Sequence, residues 1–349
     1  MGLTILDIAR YARVSKSTVS RVLNGDPHVS KAASERVLEA IKVLDYKPNA
    51  AARSLVLKKS NSFSMIVQDI RNPYYAHASW IAERFFHQNG YGLVIHNADN
   101  DLQLEREILD TIRYRGVDGV LSIGGNQNVT NIVDFHVRGK LPLVLVDREV
   151  PGYDIPAINL NNQLGGKLAT DHLLDLGHQS IVFVTSDFTV QEMHRGEGYV
   201  DAMRERGVAV SGDLKISQSE ELWSEGKCPK LSELIEAGKA PTAIFASNDI
   251  KALQAMRVLK EHGLRVPEDV SVVGYDDVPL VSLMVPSLTT IHQPFDHMVE
   301  AGARLLLDIA NGRVGELTQQ LFEPWLIERE STARIGRKEH TKKKTGVSI

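Results

Sequence analysis

Residues 14–25 read "VSKSTVSRVLNG", a stretch with the apolar spacing of a short amphipathic helix whose buried side is Val19, Val22 and Leu23. Ser15 stands where a helix cap belongs, and Asn24–Gly25 supplies a stop. The other side is Lys16, Ser17, Ser20 and Arg21, two long cations and two hydroxyls without an acid. A carboxylate held there would be repelled by phosphates, whereas cations and hydroxyls would be drawn to them. One reading is therefore a face that meets nucleic acid; the other is the solvated side of a small helical domain.

The flanking segments favour the first reading. Thr4, with Asp7 three residues on, opens a helix through "ILDIARYA" as a capping box and puts Ile5, Ile8, Ala9 and Ala12 on one face. A third helix starts near Ser30, with Val37, Leu38, Ile41 and Leu44 as its expected apolar face. Two helices joined by a tight turn, with a third closing the core, make a helix-turn-helix unit whose second helix enters the major groove of double-stranded DNA. Arginine can hold guanine O6 and N7 there, and hydroxyls serve bases or phosphates.

Charge separates the same region from the rest. Residues 1–60 hold eleven Lys and Arg against five acids, +6, so a chain of net charge −4 carries −10 elsewhere. A basic head on an acidic body is what an anion-binding module attached to a regulatory body would show. Beyond Pro48, "NAAARSLVLKKSNS" allows Asn49 to cap a short helix through Leu55, with residues 58–62 as linker. So short a helix needs DNA or a partner chain to be stable, and Leu55 would suit a wedge between minor-groove base steps. The basic run "GRKEHTKKK" near the C-terminus reads as a disordered solubilising tail.

The 349 residues exceed a single ordinary core, and two or three domains are expected. No stretch of about 18 apolar residues and no leader pattern is present, so the chain is expected in the cytoplasm and off the membrane. The single cysteine, Cys228, can form neither an internal disulfide nor a thiolate cluster and reads as idle. From Phe63 onward, "FSMIVQDI", "YGLVIHNAD", "DGVLSIGG", "LPLVLVDRE", "PAINLNN", "SIVFVTS", "TAIFASND" and "DVSVVGYDD" alternate with helical patterns. Such alternation builds doubly wound parallel sheets, whose ligands sit beyond the carboxyl ends of the strands.

The residues at those ends are Asp69, Asp147–Arg148, Asn248–Asp249 and Asp276–Asp277, with Tyr74 and Tyr75 nearby. Paired hydrogen-bonding groups beside aromatic rings suit the hydroxyls and apolar face of a polyhydroxylated ring. Asp249 and Asp277 read instead as caps of the elements that follow them. No G-x-S-x-G elbow, H-E-x-x-H, Walker loop or strand-linked G-x-G-x-x-G occurs, and the twelve histidines form no evident ligand pair; neither an enzyme nor a metal or cofactor is expected.

"TILDIARYARVSKSTVSRVLNG", "YKPNAAARSL", "GLRVPEDVSVVGYDD" and "PSLTTIHQP" together resemble the LacI/GalR family of bacterial transcriptional regulators over essentially the whole chain except the tail. The resemblance implies an α/β chain with a helix-turn-helix head (residues 1–48), a hinge helix and linker (49–60), a two-lobed body like the type I periplasmic binding proteins (61–334) and a tail (335–349). It places Lys16 and Ser17 at base-reading positions, with Thr4, Ser15, Thr18, Ser20, Arg21, Asn24 and Asn49 as further DNA contacts, and Ala52 and Leu55 in the minor groove. It implies a homodimer on a pseudo-palindromic operator. It also implies a small effector, a sugar by first reading, held by Tyr74, Asp147, Arg195, Asn248 and Asp276, to which the residue reading adds the neighbouring Tyr75. Purine, nucleoside or protein corepressors of the same family, and a sugar-binding protein with no DNA role, are the alternatives. The lobes are expected at residues 61–156 with 287–294, and at 157–286 with the C-terminal helix and strand.

Overall fold

The backbone N–H and the hydroxyl of Thr4 both donate to Asp7 Oδ2, at 2.9 and 2.7 Å, and close the capping box at the start of α1 (Ile5–Ala12). Ser15 Oγ accepts from the Thr18 N–H at 3.1 Å and opens α2 (Lys16–Leu23). Ser30 does the same for α3 (Lys31–Val43) through the Ala33 N–H. Ile8, Ala9, Ala12, Val19, Val37, Ala40 and Tyr46 bury against one another as the core of this three-helix unit. Leu38 departs from the expected face and is 57% exposed: the buried set Ala33, Val37 and Ala40, with Ile41 and Leu44 packed beside it, leaves no room on that face for the residue next to Val37.

The computed structural model describes residues 3–23, 26–46, 60–139, 141–186, 189–210, 214–219, 225–313 and 319–336; the expectations on Asn24, Asn49, Ala52, Leu55 and residues 337–349 fall outside these. Two compact units, Met1–Ser60 and Asn61–Ile349, divide the chain.

The second unit holds two six-stranded sheets. The first, ordered β11-β5-β4-β3-β1-β2, is parallel throughout. Its strands are β1 (Ser62–Val67), β2 (Gly92–Asn97), β3 (Val120–Ile123), β4 (Leu143–Val146), β5 (Ala157–Leu160) and β11 (Gln319–Phe322). Helices α4 (Pro73–Gln88), α5 (Leu102–Arg115) and α6 (Thr130–Arg138) connect the first four.

The second sheet is ordered β12-β10-β9-β8-β6-β7, parallel except for the antiparallel pair β10–β12. Its strands are β6 (Ile181–Thr185), β7 (Lys215–Ser217), β8 (Ala243–Ala246), β9 (Ser271–Asp276), β10 (Thr289–His292) and β12 (Trp325–Ile327). Helices α7 (Asn162–Asp175), α8 (Val190–Glu205), α9 (Pro229–Glu236) and α10 (Asp249–Glu261) belong with it, whereas α11 (Phe295–Ala310) packs on β3, β4 and β5 of the first.

Both lobes therefore differ from the expected division. β5 pairs with β4 in the first lobe and β10 with β9 in the second, while α11 buries Met298, Ala303 and Leu306 in the first. Alternating strands and helices fix the type of sheet, but a strand joins whichever edge its partner leaves open, and that is not written in its own residues. The chain consequently passes between lobes at residues 160–162, 292–295 and 322–325. Within the second lobe α7 and α8 come unusually close: a Cβ on Gly198 would stand 2.0 Å from the Gln163 carbonyl oxygen, and one on Gly166 2.0 Å from that of Arg195. Only glycine allows this approach, and it seats Arg195 beneath the lobe junction.

Candidate functional site

On the helical head, Lys16, Ser17 and Arg21 are exposed along one side of α2, opposite the buried Val19. The Ser15 hydroxyl is engaged with Ser17 Oγ at 2.7 Å and Thr18 Oγ1 at 2.8 Å, so Ser15 serves the helix start while Ser17 remains at the surface. Arg21 is 65% exposed with one acid, Asp26, at 3.8 Å just past the helix. The exposed face of α2 itself carries no carboxylate, and a loose, exposed ion pair is readily exchanged for a stronger anion.

In the larger unit a cavity of about 90 Å³ opens between the carboxyl ends of the two sheets. Tyr74, Tyr75 and Asp147 line it from the first lobe and Arg195, Asn248 and Asp276 from the second, so all six expected residues meet in one place. Asp69, Asn72, Asn100, Thr189, Gln191, Glu192 and Lys251 complete much of the wall. Tyr74 and Tyr75 meet edge to face, and Tyr74 lies against Phe295 at the start of α11. Asp147 and Asp276 sit at positive φ, 49° and 113°, where a strand turns sharply and the side chain is thrown into the cleft.

Burial and pairing set the electrostatics. Asp276 Oδ1 accepts from Gln293 Nε2 at 2.6 Å and lies 3.7 Å from Arg195 Nη1, yet burial prevails and pushes its carboxyl up to about 7. Burial likewise raises Asp147, against the pull of Arg195 and of the amide of Asn162. Burial alone would raise Glu192 too. Lys251 Nζ at 2.7 Å and the hydroxyls of Ser186 and Ser247 outweigh it and hold that carboxyl at about 2. Arg195 donates to Asn162 Oδ1 at 2.8 Å and the Ser247 carbonyl at 2.6 Å, and stacks 3.7 Å over the Tyr275 ring.

Other strand-end residues take structural posts. Arg148 is buried in an ion pair with Glu105 at 2.7 Å. The expected capping roles of Asp249 and Asp277 do not hold. Asp249 accepts from the Val278 N–H and the Thr290 hydroxyl, and Asp277 from Arg329 and His292, because a carboxylate this deep takes the donors that tertiary packing brings. Asn248 is the cap of α10, through the Lys251 N–H at 2.8 Å, as well as part of the wall. Sequence reading missed Asn162, Gln191, Glu192 and Lys251. Glu192 precedes Arg195 by one helical turn and Lys251 follows Asn248 by one, and that spacing was the available signal.

Comparison with known proteins matches residues 4–49 to the model of bacterial regulatory proteins of the lacI family, and residues 170–332 to a periplasmic binding protein-like domain. The ribose operon repressor of Escherichia coli (strain K12) is 36% identical over 334 residues, 94% of this chain and 99% of the relative. The chain belongs to the LacI family of bacterial regulatory proteins. Another LacI-family relative, the HTH-type transcriptional repressor PurR of Aliivibrio fischeri (strain MJ11), is 33% identical over 94% of this chain and 98% of its own length. Among solved structures, the lac repressor dimer bound to operator and the anti-inducer ONPF has a TM-score of 0.84 at 26% identity, covering 95% of this chain and all of that one (100%). A LacI-family transcriptional regulator from Enterococcus faecium with bound ribose has a TM-score of 0.69 at 26% identity, covering 78% of this chain and 99% of that one. As a LacI-family member, this chain is a DNA-binding transcriptional repressor with a small-molecule effector. Among the described residues no helix is long and apolar enough to cross a membrane.

Proposed function

We propose that this repressor controls carbohydrate-use genes and that a free sugar in the inter-lobe cleft sets its affinity for operator DNA. The carrying observation is the cavity wall: apart from Gly124 every lining residue offers a hydrogen-bonding side chain, Tyr74 and Tyr75 adding aromatic rings to their hydroxyls, and Asp147, Arg195 and Asp276 are among them. A polyol satisfies such a wall, whereas a purine would want two flat apolar faces and meets one aromatic pair set edge to face. The likeness to a ribose operon repressor and to a ribose-bound regulator supports the same class.

On the DNA side, Lys16 and Ser17 read base edges at the start of α2 and Arg21 holds a base or phosphate further along, with Thr4, Thr18 and Ser20 as supporting contacts. Asn24 and Asn49 are assigned as further DNA contacts, and Ala52 and Leu55 as contacts in the minor groove, from the family likeness alone. The chain acts as a homodimer in the cytoplasm. Exposed apolar side chains for a self-contact exist on α4 and the edge strand β2 (Trp80, Val94, Ile95) and after β9 (Leu280, Leu283, Val285). Its role involves no enzymatic step.

The test is selection of sheared genomic DNA by the full-length protein, alone, with a pool of sugars and with a pool of purines, followed by sequencing. Enrichment of a short pseudo-palindrome that changes with sugar supports the reading. A palindrome that responds only to purines transfers it to the PurR-like alternative, and no enrichment under any condition refutes it.

A further inference from the structure

Asn162 is 3% exposed, does not line the cavity, and sits at the first passage of the chain from one lobe to the other. Its Nδ2 donates to Asp147 Oδ1 at 2.9 Å, at the end of β4 in the first lobe. Its Oδ1 accepts from Arg195 Nε at 2.8 Å on α8 and from the Tyr275 hydroxyl at 3.3 Å on β9, both in the second. One amide thus spans the two lobes, donor end to the carboxylate and acceptor end to the guanidinium and phenol. No other side chain of this size does both: aspartate would set two carboxylates against each other, and leucine would leave both partners bare.

Two further ties join the lobes beside it. The Gln191 side-chain amide donates to the Asp147 carbonyl oxygen, and the backbones of Asn126 and Thr189 form an isolated antiparallel bridge. We propose that Asn162 is a positioning residue that locks the lobes closed, by fixing Asp147 and Arg195 to each other, and so converts occupancy of the cleft into a change of lobe arrangement. The second clause rests on the cleft being the effector site; the first does not.

The bond to Asp147 favours the carboxylate of a side chain that burial pushes towards its neutral form, a hydrogen bond from a neutral donor to a charged acceptor. The guanidinium is pinned at its other end by the Ser247 carbonyl and by the Tyr275 ring, so Arg195 cannot follow the first lobe if the junction opens. Opening must therefore part Asn162 from one side or the other, and the amide sets how costly that is.

The experiment uses the full chain with Asn162→Asp, which conserves volume, and Asn162→Ala. Amide hydrogen exchange is followed by mass spectrometry at residues 124–128 and 189–193, where the backbone bridge closes the mouth, and at the C-terminal halves of α5 and α10, away from the cleft, as controls. Without ligand, both variants are expected to exchange at least tenfold faster than wild type at the mouth and equally at the controls. D-ribose is then the probe. The ratio of operator dissociation constants with and without saturating D-ribose is expected to collapse towards one in the variants.

Unchanged exchange at the mouth in both variants overturns the proposal, and so does an increase that is the same at the controls, which marks a purely structural role. If D-ribose protects nothing in the wild type while the variants still open, the sugar reading fails and the lock stands. Should neither variant fold, Tyr275→Phe removes the phenol's 3.3 Å bond to Asn162 together with its contact to Arg195, and leaves the Asn162–Asp147 bond in place; a smaller increase confined to the mouth supports the proposal, and none overturns it.

Discussion

Asp276 shows how a single residue's position carries chemistry. It ends β9 at positive φ, where a β-branched or bulky side chain would be strained, and buries a carboxyl beside Arg195 and Gln293. Its folded pKa, about 7, lies above the ordinary carboxylate value, so the folded state binds its proton more tightly than the unfolded chain does. The stability it contributes is present below about pH 4 and lost as pH rises through about 7. Asp276→Asn should therefore be the more stable protein at pH 8, on the order of 1–3 kcal/mol, and no more stable than wild type at pH 4. Asp147 and Asp249 shift the same way, so the measurement is the difference between the two proteins in thermal unfolding from pH 4 to 8. The same variant should lose the effector response while keeping operator binding; one that still responds places the ligand elsewhere. On the head, Arg21→Ala should weaken specific operator binding by about 1–3 kcal/mol, and unchanged discrimination between operator and random DNA would remove Arg21 from the reading surface. The strand-end aspartates were legible in sequence because they follow apolar runs. Asn162 and Gln191 were not, since no spacing links them to Asp147 on another element, and Glu192 and Lys251 showed only as residues one helical turn from Arg195 and Asn248.

At the scale of elements, caps and periodicity were legible and partnership was not. Thr4, Ser15 and Ser30 open their helices as their types require, and the eight strand-like segments all become strands. The lobe boundaries went astray because β5 and β10 stay beside β4 and β9, the strands before them, so that the chain changes lobe one strand later than expected, and because α11 returns to pack on the first sheet. Leu38 fails for a local reason, the angle between neighbouring positions on a helix. The α7–α8 pair is the element most exposed to test. Gly198→Ala puts a methyl group 2.0 Å from the Gln163 carbonyl, a backbone atom that cannot swing aside as a side chain would. Separation of the two helices should cost about 1–3 kcal/mol or more in chemical denaturation and should move Arg195, weakening effector binding beyond what stability alone explains. Ser15→Ala tests a smaller quantity: loss of the cap should cost about 0.5–2 kcal/mol in the head's own unfolding transition.

At the scale of the molecule, the distribution of charge separates two kinds of binding. The first 60 residues carry +6 and the remainder −10, so attraction to DNA is concentrated in the head while the body repels it. Operator affinity should then fall steeply with salt, with a slope of about −0.9 per phosphate neutralised in a plot of log affinity against log salt, whereas sugar binding in the cleft should barely move. The slope also counts heads. Leu283 and Val285 are 79% and 94% exposed after β9, an uneconomical surface for a protein that remains alone in water. If they meet a second copy, Leu283→Asp combined with Val285→Asp should shift the protein towards monomer in sedimentation. A monomer brings one head to the operator instead of two. Its salt slope should accordingly be about half that of wild type, and its footprint should shrink to one half-site. A variant that stays dimeric in sedimentation would move the self-contact off these residues. One that becomes monomeric yet keeps the full slope would show that a single head makes all the phosphate contacts, and that the operator is not read as a pair.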